Sequence, residues 1–97
     1  ANGKGKIVRK NGDVYDGTFR GGNLDGEIII HYADGSKFRG IYKNGKRNGK
    51  AIEETKDGTR FEGAYKDDLR DGNFVEKDSN GNVTATGMYV QGMREVK

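Results

Sequence analysis

The sequence has no cysteine, a single histidine and no tryptophan, and only 31% of its 97 residues are apolar. Without cysteine there are no disulfides and no thiolate chemistry, and the redox compartment stays open. One histidine without companions argues against a histidine-based metal site or acid–base pair. No apolar run approaches the ~20 residues of a membrane-spanning helix, and no signal-peptide pattern is present. The apolar content is too thin for an ordinary two-layer domain. Its regular placement distinguishes it from disorder and suits a thin repeat fold in which each unit leans on its neighbours.

What the chain has in quantity is charge and glycine: 34% charged residues and 17 glycines. Lysine and arginine number 18 against 15 acids, a net charge of +3. Acids interleave with the bases in most segments, so the uninterrupted basic patch of a nucleic-acid binder is missing and no such partner is expected.

The glycines carry the organisation. Gly12, Gly35, Gly58 and Gly81 recur every 23 residues, each preceded by Asn or Asp (Asn11, Asp34, Asp57, Asn80). Such dipeptides suit two-residue type I′ hairpin turns. A second series, Gly3, Gly26, Gly49 and Gly72, keeps the same spacing and is expected to mark the other end of each hairpin. Tyr15, Phe38 and Phe61 share one register; Phe19, Tyr42 and Tyr65 share another, with Gly17, Gly40 and Gly63 between them. The unit reads G-x-x-[YF]-x-G-x-[FY]-x-x-G-x-x-x-G, and it resembles the MORN (membrane occupation and recognition nexus) repeat over nearly the whole chain.

Departures from the unit are local. Asp68 stands where Gly22 and Gly45 stand in earlier units, and Thr84 replaces the first aromatic of the last unit. Gly87, Tyr89 and Gly92 then arrive one residue late, which a one-residue bulge would absorb. Phe or Tyr occupies the second aromatic position, where the family usually has tryptophan.

The reading is one array over residues 1–97: a half-unit 1–11, repeats at about 12–34, 35–57 and 58–80, and a divergent last unit 81–97. Because a repeat is already under way at Ala1, the chain reads as a fragment. The resemblance implies an all-β fold, tandem hairpins forming a single curved, twisted antiparallel sheet of about eight or nine short strands.

A two-residue turn at Asp34-Gly35 would pair Ala33 with Ser36, His31 with Phe38 and Ile29 with Gly40. Alternation then puts Ile29, His31, Phe38, Gly40 and Tyr42 on one face, continued by Ile52, Phe61, Gly63, Tyr65 and Val75. The opposite face would show Ile28, Ile30, Tyr32 and Ile41 outward in one unit, and solvated Glu53, Thr55, Arg60 and Glu62 in the next. So apolar an outward patch is either covered by further chain or by curling of the sheet, or it is a partner site.

Candidate partner-binding residues are therefore Phe19, Ile28, Ile30, Tyr32, Tyr42 and Tyr65. The segment Lys43 to Lys50 reads as a basic loop, with Lys43, Lys46, Arg47 and Lys50 as candidate anionic-lipid contacts. His31 reads as a strand residue, and Glu53-Glu54 as solvated acids on opposite faces. Asp67 to Asp78 fails as a calcium loop because Leu69 falls on a ligand position. No phosphate-binding loop is present, and the sequon Asn82-Val83-Thr84 stands alone.

No catalytic, cofactor or metal site emerges. The resemblance implies a non-enzymatic module for protein interaction or scaffolding; phospholipid or membrane-surface association, and targeting of a larger enzyme, are the alternatives. Another protein is the expected partner, with anionic lipids second and homodimerisation open. A cytoplasmic or membrane-peripheral location is expected.

Overall fold

The computed structural model describes residues 3–96; the predicted ends of the array at Ala1, Asn2 and Lys97 lie outside the described residues. Ten strands follow one another: β1 (Gly3–Val8), β2 (Val14–Arg20), β3 (Asn23–His31), β4 (Lys37–Lys43), β5 (Lys46–Glu54), β6 (Arg60–Lys66), β7 (Leu69–Arg70), β8 (Gly72–Lys77), β9 (Val83–Val90) and β10 (Met93–Val96). They form one antiparallel sheet in sequence order, with both β7 and β8 pairing with β6. The expected hairpin array is therefore present, and its tenth strand arises only because Asp71 divides one hairpin arm in two.

The two ends of the hairpins use different turns. At one end, Gly35 N–H donates to the Tyr32 carbonyl (3.0 Å) and Tyr32 N–H to the Ser36 carbonyl (2.9 Å). The same pair of bonds closes the loops after Arg9, Thr55 and Asp78. Each loop thus has three residues, the last a glycine at positive φ (Gly35, 93°), while Asp34 does not enter that region. This is a type I turn followed by a glycine bulge, the three-residue hairpin loop. The Asp34 carboxylate supports it by accepting Ser36 N–H at 2.9 Å.

Two-residue turns do occur, but at the opposite end. Asn44-Gly45 has φ values of 52° and 81° and joins the pair Lys43–Lys46. Gly21-Gly22, Asp67-Asp68 and Gln91-Gly92 repeat the pattern. Successive turns are tied together: Gly45, Asp68 and Gly92 N–H groups donate to the carbonyls of Leu24, Arg47 and Arg70 at 2.8–2.9 Å.

The extra loop residue shifts the β3–β4 register by one from the type I′ expectation, and a one-residue slip exchanges the two faces of a strand. The observed pairs are Ile30–Phe38, Ile28–Gly40 and His31–Lys37. Ile28 and Ile30 are 0% and 1% exposed, in the core rather than on an outward patch. Conversely Ile29, His31, Ile52 and Val75 leave the aromatic face; Ile52 is 41% exposed, and His31 is exposed too. The register adopted buries two isoleucines and leaves histidine in water, where the alternative would bury the histidine.

The aromatic face carries Ile28, Ile30, Phe38, Tyr42, Ala51, Phe61, Tyr65, Phe74 and Tyr89 as one buried cluster. No second layer is present among the described residues, so the strands and their own rings must cover this face. The Phe38 ring folds back over Gly40, where an added Cβ would lie 2.7 Å from the ring; Phe61 does the same at Gly63, 2.6 Å. At Gly17 the corresponding space is filled from the neighbouring strand, where Ile28 would lie 2.6 Å from an added Cβ. Full burial of such a ring is worth roughly 1.5–3 kcal/mol.

Gly26, Gly49 and Gly72 mark bulges rather than hairpin ends. Gly40 pairs with Ala51 but Tyr42 with Arg47, so two extra residues of β5 are accommodated between. Gly17–Ile28 and Phe19–Leu24 show the same shift, as do Glu62–Val75 and Tyr65–Arg70. The late register of the last unit is absorbed as expected: Glu76 pairs with Ala85 and Lys77 with Val83, leaving Thr84 extra.

Candidate functional site

Paired with Tyr42 and Tyr65, the residues Arg47 and Arg70 lie on the aromatic face, one beyond each two-residue turn. Arg94 follows the next turn and pairs with Tyr89. Their guanidinium groups lie over the rings: Arg70 is 3.9 Å from the Phe61 centroid, Arg94 4.7 Å from Phe74, and Arg47 5.0 Å from Tyr65 and 5.6 Å from Phe38. A cation at such distances is attracted by the ring quadrupole, by about 0.5–1 kcal/mol at exposed sites and more when desolvated.

Carboxylates complete two of these three positions. Arg70 Nη2 donates to Glu53 Oε2 at 2.7 Å, Nε to the Tyr65 hydroxyl at 3.3 Å and Nη1 to the Tyr89 hydroxyl at 3.0 Å. The Tyr65 hydroxyl in turn donates to Glu53 Oε2 at 2.9 Å. Arg94 holds Glu76 through two bonds of 2.8 Å, the two-pronged arrangement that planar guanidinium and carboxylate groups favour. Those hydrogen bonds hold the Glu76 carboxyl below its ordinary range. Glu53 is therefore not a solvated acid, as the sequence reading has it. The paired residue Phe61 places it on the aromatic face, and Glu54 alone faces away with Arg60 at 3.3 Å.

Arg47 differs. Among the described residues its guanidinium makes no hydrogen bond, and its Nε is enclosed without a partner. The nearest acid is Asp68, 3.6 Å from Nε, whose Oδ1 already accepts the Arg47 backbone N–H at 2.7 Å. Tyr32 and Tyr42 stand in the same neighbourhood, and burial pushes the Tyr42 phenol up to about 12. Both phenols are neutral donors at ordinary pH.

The predicted partner residues divide accordingly. Ile28 and Ile30 are sealed in the core and offer no free surface. Tyr42 and Tyr65 are mostly buried, edge-on to Phe38 at 5.9 and 6.0 Å between centroids. Tyr32 and Phe19 are half-buried. The predicted basic loop is not a loop beyond Asn44-Gly45, since Lys46 already begins β5. Lys43, Lys46 and Lys50 are exposed on the face away from the rings, whereas Arg47 points to the aromatic side.

Two grooves accompany these features. One of about 470 Å³ runs along the aromatic face beside Tyr32, Glu53, Phe61, Arg70 and Glu76. The other, about 580 Å³ and on the opposite face, has Ile41, Ile52 and Ala64 rimmed by Glu27, Arg39, Lys50 and Glu62. Among the described residues no group of three His, Cys, Asp or Glu side chains is placed to hold a metal ion.

The arginine–glutamate ladder went unread in the sequence although its signal was there. Arg47, Arg70 and Arg94 recur at the repeat spacing, allowing for the one-residue insertion, as do Glu53 and Glu76. The MORN repeat model matches the chain four times, at residues 1–14, 15–37, 38–60 and 61–83. No curated protein matches it.

Proposed function

The chain belongs to the MORN repeat family, and from that premise we propose that it is a non-enzymatic module that binds another protein through its aromatic face. MORN repeats are known as protein and membrane interaction modules and are generally non-catalytic. The observation that carries the reading is the uneven completion of the aromatic face. Arg70 and Arg94 are held by carboxylates and phenol oxygens, while the Arg47 guanidinium and the Tyr32 and Tyr42 hydroxyls make no hydrogen bond among the described residues. Rigid aromatic and arginine groups are the residue types that dominate protein-binding hot spots.

Affinity capture with the folded chain as bait tests this, with a Tyr32→Ala variant alongside and direct binding of the purified partner as readout. The reading expects a specific partner whose affinity falls in the variant. A partner that binds Tyr32→Ala unchanged contradicts use of this face.

Membrane-surface association is the second reading, favoured by Lys43, Lys46 and Lys50 being exposed on one side of the sheet. At about 1 kcal/mol per lysine near an anionic bilayer, three residues give only marginal attachment. It predicts sedimentation with anionic vesicles at low salt, lost at physiological salt and in a variant with all three lysines changed to glutamate. Targeting of a larger enzyme is compatible with either surface. With either, a cytoplasmic or membrane-peripheral location fits; no nucleic acid is invoked, and homodimerisation through the same faces is open to test.

A further inference from the structure

The repeat supplies an internal comparison of four equivalent positions. Ile7, Ile30, Glu53 and Glu76 occupy one register position of successive units, and Leu24, Arg47, Arg70 and Arg94 another. Read as couples, they are Ile7 with Leu24, Ile30 with Arg47, Glu53 with Arg70 and Glu76 with Arg94. The first couple is apolar throughout. The last two are ion pairs of 2.7 and 2.8 Å. Only Ile30 with Arg47 is mismatched: the arginine is in place, stacked on Phe38 and Tyr65, and an isoleucine stands where its carboxylate would be.

The mismatch leaves donors rather than an apolar gap. Arg47 has an enclosed Nε without a partner. The hydroxyls of Tyr32 and Tyr42 make no protein hydrogen bond among the described residues, whereas those of Tyr65 and Tyr89 are both engaged by Arg70. A desolvated guanidinium is worth most when a carboxylate meets it in its own plane.

We propose that the Arg47 guanidinium, at the strand position paired with Tyr42, is the docking position for an aspartate or glutamate side chain of a partner polypeptide. The partner's carboxylate takes the place that Glu53 and Glu76 hold in the following units. Arg47 already shares its charge with Asp68, so of two anion classes, carboxylate and phosphate, the one carrying less charge is favoured. Asp68 lies 3.6 Å from Arg47 Nε, so a doubly charged phosphate would meet repulsion that a carboxylate meets only once. The inference rests on the protein-binding reading and names the chemistry that reading leaves open.

The test follows the arginine Nε–H resonances of the full chain by NMR. The chain is titrated with a blocked peptide of alternating glutamate and serine, with its glutamine counterpart, and with phosphatidylcholine vesicles containing phosphatidylserine. The glutamate peptide should shift the Arg47 resonance and leave those of Arg70 and Arg94 in place. Replacing glutamate by glutamine should weaken binding about tenfold or more, since one charge-assisted hydrogen bond is at stake.

Ile30→Glu places the missing carboxylate in the chain itself and should abolish the response. Because Ile30 is in the core, Arg47→Gln is the companion variant, read through backbone amide shifts near Tyr32 and expected to lose the same affinity. An unmoved Arg47, equal binding of the glutamine peptide, or undiminished binding by Arg47→Gln overturns the proposal. So does a response of Arg47 to the vesicles alone, which would assign the position to lipid. A partner lost on Tyr32→Ala but retained on Arg47→Gln would overturn this inference and leave the protein-binding reading standing.

Discussion

The aromatic face is built twice from nearly the same parts, and its two halves finish differently. Around Phe61, Phe74 and Tyr89, two arginines cover the rings, and each is held by a glutamate of the preceding unit. Around Phe38 and Tyr42 the covering arginine is present but its acid is replaced by Ile30, which turns inward and is buried. The first arrangement spends its polar groups on the fold; the second buries one more branched side chain and leaves its guanidinium and phenols without hydrogen bonds among the described residues. In a repeat protein the scaffold is held by what recurs, so a position that fails to recur can be given to a ligand without loss of the sheet.

Breaking the two arginines in parallel should give the largest contrast. Arg70→Ala removes a charge-assisted bond to a part-buried glutamate and a close ring contact, and should cost about 2 kcal/mol in chemical denaturation. Arg47→Ala removes ring contact and only a long, 3.6 Å ion pair with Asp68, and should cost about 1 kcal/mol or less. Equal losses would mean that the halves are equally completed.

The same contrast has a pH signature. Glu76 has its folded carboxyl lowered from the ordinary value of 4.5 by the Arg94 hydrogen bonds. Its contribution to stability is therefore present above that value and fades as pH falls through the lower folded one. Glu76→Gln should be less stable than the parent at neutral pH, and the difference should shrink as pH drops below about 4.5. A difference that stays constant down to pH 3 would contradict the pairing.

The smallest expected effect lies in the two-residue turns. Asn44-Gly45 in the first half suits positive φ at both positions, whereas Asp67-Asp68 holds two aspartates at 49° and 69°. Asp68 is retained by its bond to Arg47 N–H, but Asp67 has no such bond among the described residues. Asp67→Asn should stabilise by a few tenths of a kcal/mol, read as a shift of the denaturation midpoint.

The repeat period, the hairpins, both glycine series and the paired aromatics were legible in the sequence because each recurs at a fixed spacing. Face assignment was not, and the reason is local. Asn-Gly and Asp-Gly fit a two-residue type I′ turn and also the last two residues of a three-residue loop. The two choices differ by one residue in register, and that residue decides whether Ile28 and Ile30 or Ile29 and His31 face the rings. The hydrophobic pattern could have arbitrated, since only one register buries both isoleucines and strands no histidine.

The candidate site was half legible. Tyr32, Tyr42, Tyr65 and Arg47 were singled out, but Arg47 was grouped with three lysines that lie on the other face. Its proper companions lie one repeat on at Arg70 and, displaced by the one-residue insertion, at Arg94. What no single residue reveals is the couple: Ile30 acquires meaning only beside Glu53 and Glu76.

The most direct measurement compares the three guanidinium groups in the free protein. Rotation of the terminal amino groups is slowed when they are held by hydrogen bonds, and NMR resolves it arginine by arginine. Slow rotation with separate Nη signals is expected for Arg70 and Arg94, and fast averaging for Arg47. An Arg47 as restrained as the other two would mean that its position is already filled within the chain, and the contrast between the halves would fall.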